Sequence, residues 1–307
     1  MIYPFIRRFL YGVLVVLGIS AITFALMHLA GDPAVLLSGH DSTPEEIEAF
    51  RVANGFDRPV AVQYLDWLWH AVRGDLGISL RSGRPVLSLV LEALPRTLLL
   101  IGCALALSIS IGVIAGVIAA VFRGSLFDRC VIMASVFIQS LPTFWLGIVL
   151  LLVFSATLRW LPTSGLRGPQ YLILPAVTLA CFQVGTFARI ARSSMLEVLD
   201  SDFVRTARAK GASSRAVVFG HAFPNAALPI ITVIGLQLGG LYGGAIVTET
   251  VFSWPGVNTV ALSAIASRDM PVIQAYVIVV GVLVVLTNLL IDLLYSWLDP
   301  RANIGAR

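Results

Sequence analysis

The sequence predicts an all-α polytopic membrane protein of about six transmembrane helices. A small helical extracytoplasmic insert follows the first, and a cytoplasmic helical segment lies between the fourth and fifth. Three observations carry this prediction. Of 307 residues, 58% are hydrophobic and 12% charged, about half the ~25% charge of a soluble domain. The apolar residues gather into stretches of about 20, the length that crosses hydrocarbon, and none shows the two-residue alternation of a barrel strand. Arginines concentrate in alternate connecting segments, the bias that orients membrane helices.

The first stretch, about 9–30, follows Arg7 and Arg8. It exceeds the roughly 7–15 residues of a signal-peptide core and has no small-residue cleavage site after it. It reads as an uncleaved helix whose N-terminus is cytoplasmic. Five more stretches follow, at about 97–122, 130–158, 171–188, 226–252 and 272–298. The fourth is the shortest and carries Pro175 and Gln183. Inner segments then hold Arg123, Arg129, Arg189, Arg192, Arg205, Arg208, Lys210, Arg215, Arg301 and Arg307. The short outer ones hold only Arg159, Arg167 and Arg268. Both termini are expected in the cytoplasm.

The division expected is a transmembrane helix at 1–30, an extracytoplasmic insert at 31–94 and a membrane core at 95–307. The insert is too long to lack structure. Thr43 can cap a helix, Pro44 suits its first turn and Glu46 completes a capping box. Asn54-Gly55 is its stop. A second helix is predicted at about 59–73, with Tyr64, Leu65, Leu68 and Val72 on one face. Trp67 and Trp69 suit either the headgroup level or packing within the insert. Gly74, Gly77 and Gly83 mark turns, Pro85 opens a short helix and Pro95 starts the second span.

Several function classes are excluded or weakened. No charge run suggests nucleic acid. Cys103, Cys130 and Cys181 lie in or beside apolar segments and imply no disulfide framework. H-E-x-x-H and G-x-S-x-G are absent, no metal cluster is evident, and His40-Asp41 is a lone polar pair, so no catalytic residue is assigned. An ATPase needs a phosphate loop ending Gly-Lys-Ser/Thr, but the single lysine, Lys210, precedes Gly211. Glu249, Asp292, Arg189 and Arg192 sit near span ends, where long side chains reach the interface. Nothing mid-bilayer resembles a proton relay, although a secondary transporter or channel remains the rival class.

Gln139, Ser140, Gln183, Thr186 and Gln237 are candidates for a translocation path, with kinks at Pro142 and Pro175. The same residues also suit interhelical hydrogen bonding. Gly235, Gly239, Gly240, Gly243 and Gly244 form overlapping G-x-x-x-G ladders, repeated at Gly112 and Gly116. Such ladders let helices pack closely or slide.

The segment 189–225, and within it about 198–225, is long for an inner loop. Asp202 or Ser201 can cap a helix running to about Lys210. Gly211 breaks it, and Ser213 or Ser214 can start another. Small residues (Ala207, Ala209, Gly211, Ala212) sit among cations (Arg205, Arg208, Lys210, Arg215). This pattern fits a helix docked on a partner or a solvated basic loop.

Arg205-Thr206-Ala207-Arg208-Ala209-Lys210-Gly211-Ala212-Ser213, with Asn225 and Leu228-Pro229 after it, resembles the EAA loop of ABC importer permeases. The form is that of the dipeptide/oligopeptide/nickel branch of binding-protein-dependent inner-membrane components. Other blocks match in order: Gly31-Asp32-Pro33, Gly74-Asp75-Leu76-Gly77, Arg84-Pro85-Val86, Leu161-Pro162-Thr163-Ser164-Gly165, Leu172-Ile173-Leu174-Pro175-Ala176, Thr250-Val251-Phe252-Ser253-Trp254-Pro255-Gly256, Arg268-Asp269-Met270-Pro271-Val272-Ile273-Gln274 and Leu298-Asp299-Pro300-Arg301. The chain departs from the family at Arg205-Thr206, where the pattern has Glu-Ala, and at Asn258, where it has glycine.

The resemblance implies the permease subunit of an ATP-driven importer in a bacterial inner membrane, embedded in lipid and not itself an enzyme. Its implied partners are a second homologous permease chain, two ATP-binding subunits that hold ATP and Mg, and an extracytoplasmic substrate-binding protein. This chain would bind no cofactor or metal. Asp202, Arg205, Ala207, Arg208, Lys210 and Gly211 would form a cytoplasmic coupling helix. Trp254, Pro255, Gly256, Arg268 and Asp269 would serve the outer gate or the binding protein. The implied substrates are di- or oligopeptides, with nickel or a metal chelate, glutathione or another small solute as the alternative.

Overall fold

A computed structural model describes residues 2–30, 32, 34–35, 42–53 and 55–298 of the protein. Gly31, Pro33, His40, Asp41, Asn54, Asp299, Pro300, Arg301 and Arg307 lie outside the described residues, as does the side chain of Asp292. The helices are α1 (Ile2–Ala30), α2 (Pro44–Ala53), α3 (Val60–Val72), α4 (Val86–Val121), α5 (Leu126–Ser140) and α6 (Thr143–Leu150, prolonged by a π-helical Leu151–Thr157). After them come α7 (Gln170–Leu199), α8 (Asp202–Ala209), a π-helical Ala216–Ala222 that runs into α9 (Phe223–Val251), α10 (Val257–Ala266) and α11 (Met270–Leu298). Among the described residues the fold is all-α, and five helices are long and apolar enough to cross a membrane, six if the bent pair α5–α6 is one span.

That bent pair occupies the span expected at 130–158 with a kink at Pro142, and the bend is far sharper than a kink. The axes of α5 and α6 meet at 102° across Leu141-Pro142. Pro142 has no N–H and forces the residue before it out of the helical region. Leu141 accordingly sits at φ −87°, ψ 133°. A second departure is at Pro95, which lies inside α4 rather than at its start. Residues 86–94 and the second span are one helix, because Val86, Val90 and Ala93 are buried against Val257, Val272 and Ala275. This packing outweighs the hydrogen bond that Pro95 removes.

The chain forms two compact units, residues 1–95 with 256–289, and residues 96–255 with 290–307. In the first, the capping box forms as the sequence predicts. Glu46 Oε2 accepts from the Thr43 N–H at 2.8 Å, and Thr43 Oγ1 accepts from the Glu46 N–H at 3.3 Å. Gly55, at φ +69°, reverses the chain after α2. The packed face of α3 is the expected one only in part: Tyr64 and Leu68 are half-buried. Leu65 and Val72 are exposed, while Tyr64 and Trp67 lie against Phe24 of α1, with ring centroids 5.4 and 5.8 Å apart. Polar partners explain the choice. The Tyr64 hydroxyl meets Ser20 Oγ at 2.8 Å, and Gln63 Oε1 meets His28 Nε2 at 3.0 Å. Trp69 is exposed and carries the Arg73 guanidinium 4.0 Å over its ring.

In the second unit α7 is the central helix. Of its most apolar window 56% is buried within the chain, against at most 28% for the other four spanning helices. Its weak sequence signal has this cause: a helix packed among other helices needs less apolar surface than one facing lipid. Glycines let its neighbours approach. A Cβ on Gly112 would lie 2.8 Å from the Val184 carbonyl oxygen, and one on Gly116 2.3 Å from that of Ala188. Gly244 likewise abuts Leu179, and Gly235 abuts Ile291, whereas Gly239, Gly240 and Gly243 face open space. The ladders therefore pack this chain only at their ends. Near the far end of α9, the fully buried Glu249 accepts a 2.5 Å hydrogen bond from Thr97 Oγ1.

Candidate functional site

The segment after α7 forms a short helical hairpin with a local origin. Ser201 takes the N-cap position of α8 at φ −74°, ψ 154°. Its hydroxyl donates back to the Val198 carbonyl at 2.5 Å rather than accepting from the helix. At the other end the Gly211 N–H donates to Arg208 O (2.9 Å) and the Ala212 N–H to Ala207 O (3.1 Å). This is a Schellman closure, which needs a left-handed residue at its turn. Gly211 supplies it at φ +86°. Ser213 Oγ then accepts from the Ala216 N–H at 3.3 Å and starts the next helical stretch.

Of the coupling candidates, Asp202, Arg205, Arg208, Lys210 and Gly211 are exposed and Ala207 is half-buried. Arg205 and Asp202 approach at 3.5 Å, but both side chains are largely solvated, so this pair contributes little. One residue of α8 points inward: Val204, fully buried. Beneath the hairpin, Val117 and Ala120 of α4, Met195 of α7 and Ala222 and Ala226 form a buried cluster. The arm of the hairpin that follows α8 is thus anchored on an apolar base through Val218 and Ala222. Two exposed aromatics belong to the same segment, Phe203 on α8 and Phe219 on the stretch before α9. Sequence reasoning passed over both, although a large apolar residue among cations was a readable signal.

The path candidates meet in two pairs on α7. Gln139 Nε2 donates to Thr186 Oγ1 at 2.7 Å, and Gln237 Nε2 donates to Gln183 Oε1 at 2.8 Å. Ser140 is exposed beside the α5–α6 break and donates to the Val136 carbonyl at 2.9 Å. The five polar residues therefore collect around one helix and one backbone break.

The outer candidates divide. Trp254 is fully buried in the core of the second unit, and its Nε1–H donates to the Arg96 carbonyl at 3.1 Å. Gly256 is buried and Pro255 half-buried. Asp269 is buried, whereas its neighbour Arg268 is exposed at φ +55°. Among the described residues no group of three or more His, Cys, Asp or Glu is placed to hold a metal ion.

The family of binding-protein-dependent transport system inner membrane components matches residues 112–304, and its N-terminal counterpart matches residues 1–101. The chain belongs to this family. It is the permease subunit of an ABC-type transport system, a transport component and not the hydrolytic one, and it crosses the inner membrane several times. A candidate peptide transport system permease of Brucella suis biovar 1 (strain 1330) is 42% identical over 307 residues, 97% of this permease and 98% of that protein. The di/tripeptide transport system permease protein DppB of Pseudomonas aeruginosa (strain UCBPP-PA14) is 40% identical over 92% of this permease and 94% of its own length. The dipeptide transport system permease protein DppB of Escherichia coli (strain K12) is 38% identical over 93% and 94%. The fold is also that of a chain of the MetNI methionine ABC transporter in an inward-facing conformation, with TM-score 0.58 and 19% identity over 69% of this permease and 96% of that chain.

Proposed function

We propose that this permease imports di- or oligopeptides handed over by an extracytoplasmic binding protein. The supporting observation is the near full-length likeness to relatives named for peptide, di/tripeptide and dipeptide transport, at 42%, 40% and 38% identity. In this reading the permease pairs with a second homologous permease chain, and the path runs between them. Two ATP-binding subunits, which carry ATP and Mg, dock on the α8 hairpin. Both termini are cytoplasmic, 31–94 is the extracytoplasmic insert between the helix at 1–30 and the core at 95–307, and α8 is the coupling helix within about 198–225.

The physical support for the docking role is the hairpin's construction. Arg205, Arg208 and Lys210 stand exposed on a helix seated by Val204, and Gly211 terminates it without a side chain. Complementary charge sets orientation, and an exposed aromatic such as Phe203 is the residue type that dominates interface energies. Closure of the ATPases pushes α8, which is continuous with α7 through Asp200 and Ser201. Gln139, Ser140, Gln183, Thr186 and Gln237 are the polar groups offered to a passing peptide backbone, and Arg268 is the exposed outer residue offered to the binding protein.

The test is reconstitution of the chain with the products of its neighbouring genes in proteoliposomes. ATP-dependent uptake of tritiated dialanine, competed by tri- and tetrapeptides, is the expected result. Uptake of nickel or glutathione without any peptide competition would replace the substrate class. Solute movement without ATP would overturn the importer reading itself.

A further inference from the structure

We infer that Asp128 and Arg192 are positioning residues for transport, a clasp that makes α5 move with α7 when α8 is pushed. The inference rests on the reading of α8 as the coupling helix. Arg192 Nε and Nη2 donate to the two carboxylate oxygens of Asp128 at 2.5 and 2.8 Å, the bidentate geometry that fixes direction as well as distance. The Asp128 side chain is 3% exposed. Its Oδ2 also accepts from the Gly124 N–H at 2.9 Å, and its own N–H donates to Ser125 Oγ at 3.2 Å. The carboxylate is therefore fixed to the first turn of α5, and Arg192 grips a site that cannot slip along it.

The position of the clasp sets its use. Arg192 lies seven residues before the end of α7 at Leu199, about 10 Å along the axis, and α8 begins three residues later at Asp202. A second, exposed ion pair, Arg123 to Asp200 at 3.3 Å, ties the α4–α5 turn to the same end of α7. Further along, Gln139 Nε2 binds Thr186 Oγ1, and a Cβ on Gly185 would lie 2.9 Å from the Ser135 carbonyl oxygen. These contacts hold α5 on α7 at two levels. Directly beyond them stands Leu141-Pro142, a break of 102° between α5 and α6. A displacement of α7 then carries α5 with it, and the break is where the relative rotation of α6 is taken up. Charge alone would not need this arrangement: an ion pair that only stabilised the fold would be replaceable by apolar side chains, often without loss.

That difference supplies the test. Cys130 is an exposed thiol on α5, so with Cys103 and Cys181 changed to serine it reports motion of the helix by its maleimide labelling rate. The assembled transporter is measured in nanodiscs with and without ATP and vanadate, alongside copurification and ATP hydrolysis. The expected result for the parent is an ATP-dependent change of labelling. In Asp128→Leu/Arg192→Met, a pair chosen to keep the fold, ATPase binding and hydrolysis persist while that change falls about tenfold, within the range of coupling between sites. Arg192→Lys, which keeps the charge and loses the fork, falls between. A full labelling response in the double variant, or no response in the parent, overturns the clasp. A parent chain that retains no ATPase subunit overturns the coupling reading instead, and the two failures are told apart by the copurification lane. Asp128→Asn serves as a further variant, leaving Arg192 without its anion.

Discussion

Ser79 Oγ donates a 2.6 Å hydrogen bond to Asp269 Oδ2, joining residues 190 positions apart in the chain. The N–H groups of Leu80 and Arg81 approach the same carboxylate at 3.3 and 3.4 Å. The turn at residues 79–81 thus wraps a buried anion that sits just before α11. The residue next to it, Arg268, is left outside and exposed.

Asp269→Ala removes the acceptor of all three bonds and leaves the Ser79 hydroxyl buried without it. A loss of about 3 kcal/mol is expected, from the cost of breaking a buried charge-assisted network. Asp269→Asn, which keeps the shape, is expected to lose less. Thermal unfolding of the purified complex checks the order, and limited proteolysis at Arg81 and Arg84 checks the place. Equal melting of Asp269→Ala and the parent would show that the wrap contributes nothing.

Gly116 and Gly239 look alike in sequence and differ in surroundings. A Cβ at 116 meets the Ala188 carbonyl oxygen at 2.3 Å, while one at 239 meets nothing within 4 Å. Gly116→Ala is expected to destabilise the chain by about 1–3 kcal/mol through overpacking. Gly239→Ala is expected to leave the melting of the isolated chain unchanged. Detergent-dependent unfolding of the two variants decides it, and equal stability would sink the assignment of the α4–α7 contact.

Gly211 separates backbone from charge. Its φ of +86° strains any residue with a Cβ, and a Cβ there would meet open space. Gly211→Asn, the residue type that tolerates this region best after glycine, is expected to retain transport. Gly211→Ala adds about 1–2 kcal/mol of local strain. Gly211→Glu adds the same strain and a negative charge among Arg205, Arg208 and Lys210, and is expected to separate hydrolysis from uptake while the spans stay folded. Uptake and ATP hydrolysis measured on the three variants form the check. Normal uptake by a well-expressed Gly211→Glu chain would remove α8 from the coupling role.

Sequence alone determined whatever depends on neighbouring residues. Apolar length placed the spanning helices, and the capping box at Thr43 and Glu46 formed with the partners its spacing required. Gly211 ended α8 where a left-handed turn was needed. The ordered motifs around Arg205–Ser213 were enough for the family, because that likeness is itself a property of sequence. Tertiary structure alone decided what each polar or aromatic side chain faces. Trp254, in a turn that reads as surface, is core. Leu65 and Val72 are exposed while Tyr64 and Trp67 pack on α1, because Ser20 and His28 supply their face with polar partners. Pro142 turns the chain by 102° and Pro95 does not interrupt α4, since the cost of a proline is met or not by packing around it. Arg192, read singly as a span-end charge, becomes half of a bidentate pair with Asp128 only when α5 lies against α7. Local chemistry specifies where elements begin and stop; partners far along the chain are specified only by the packing that brings them together.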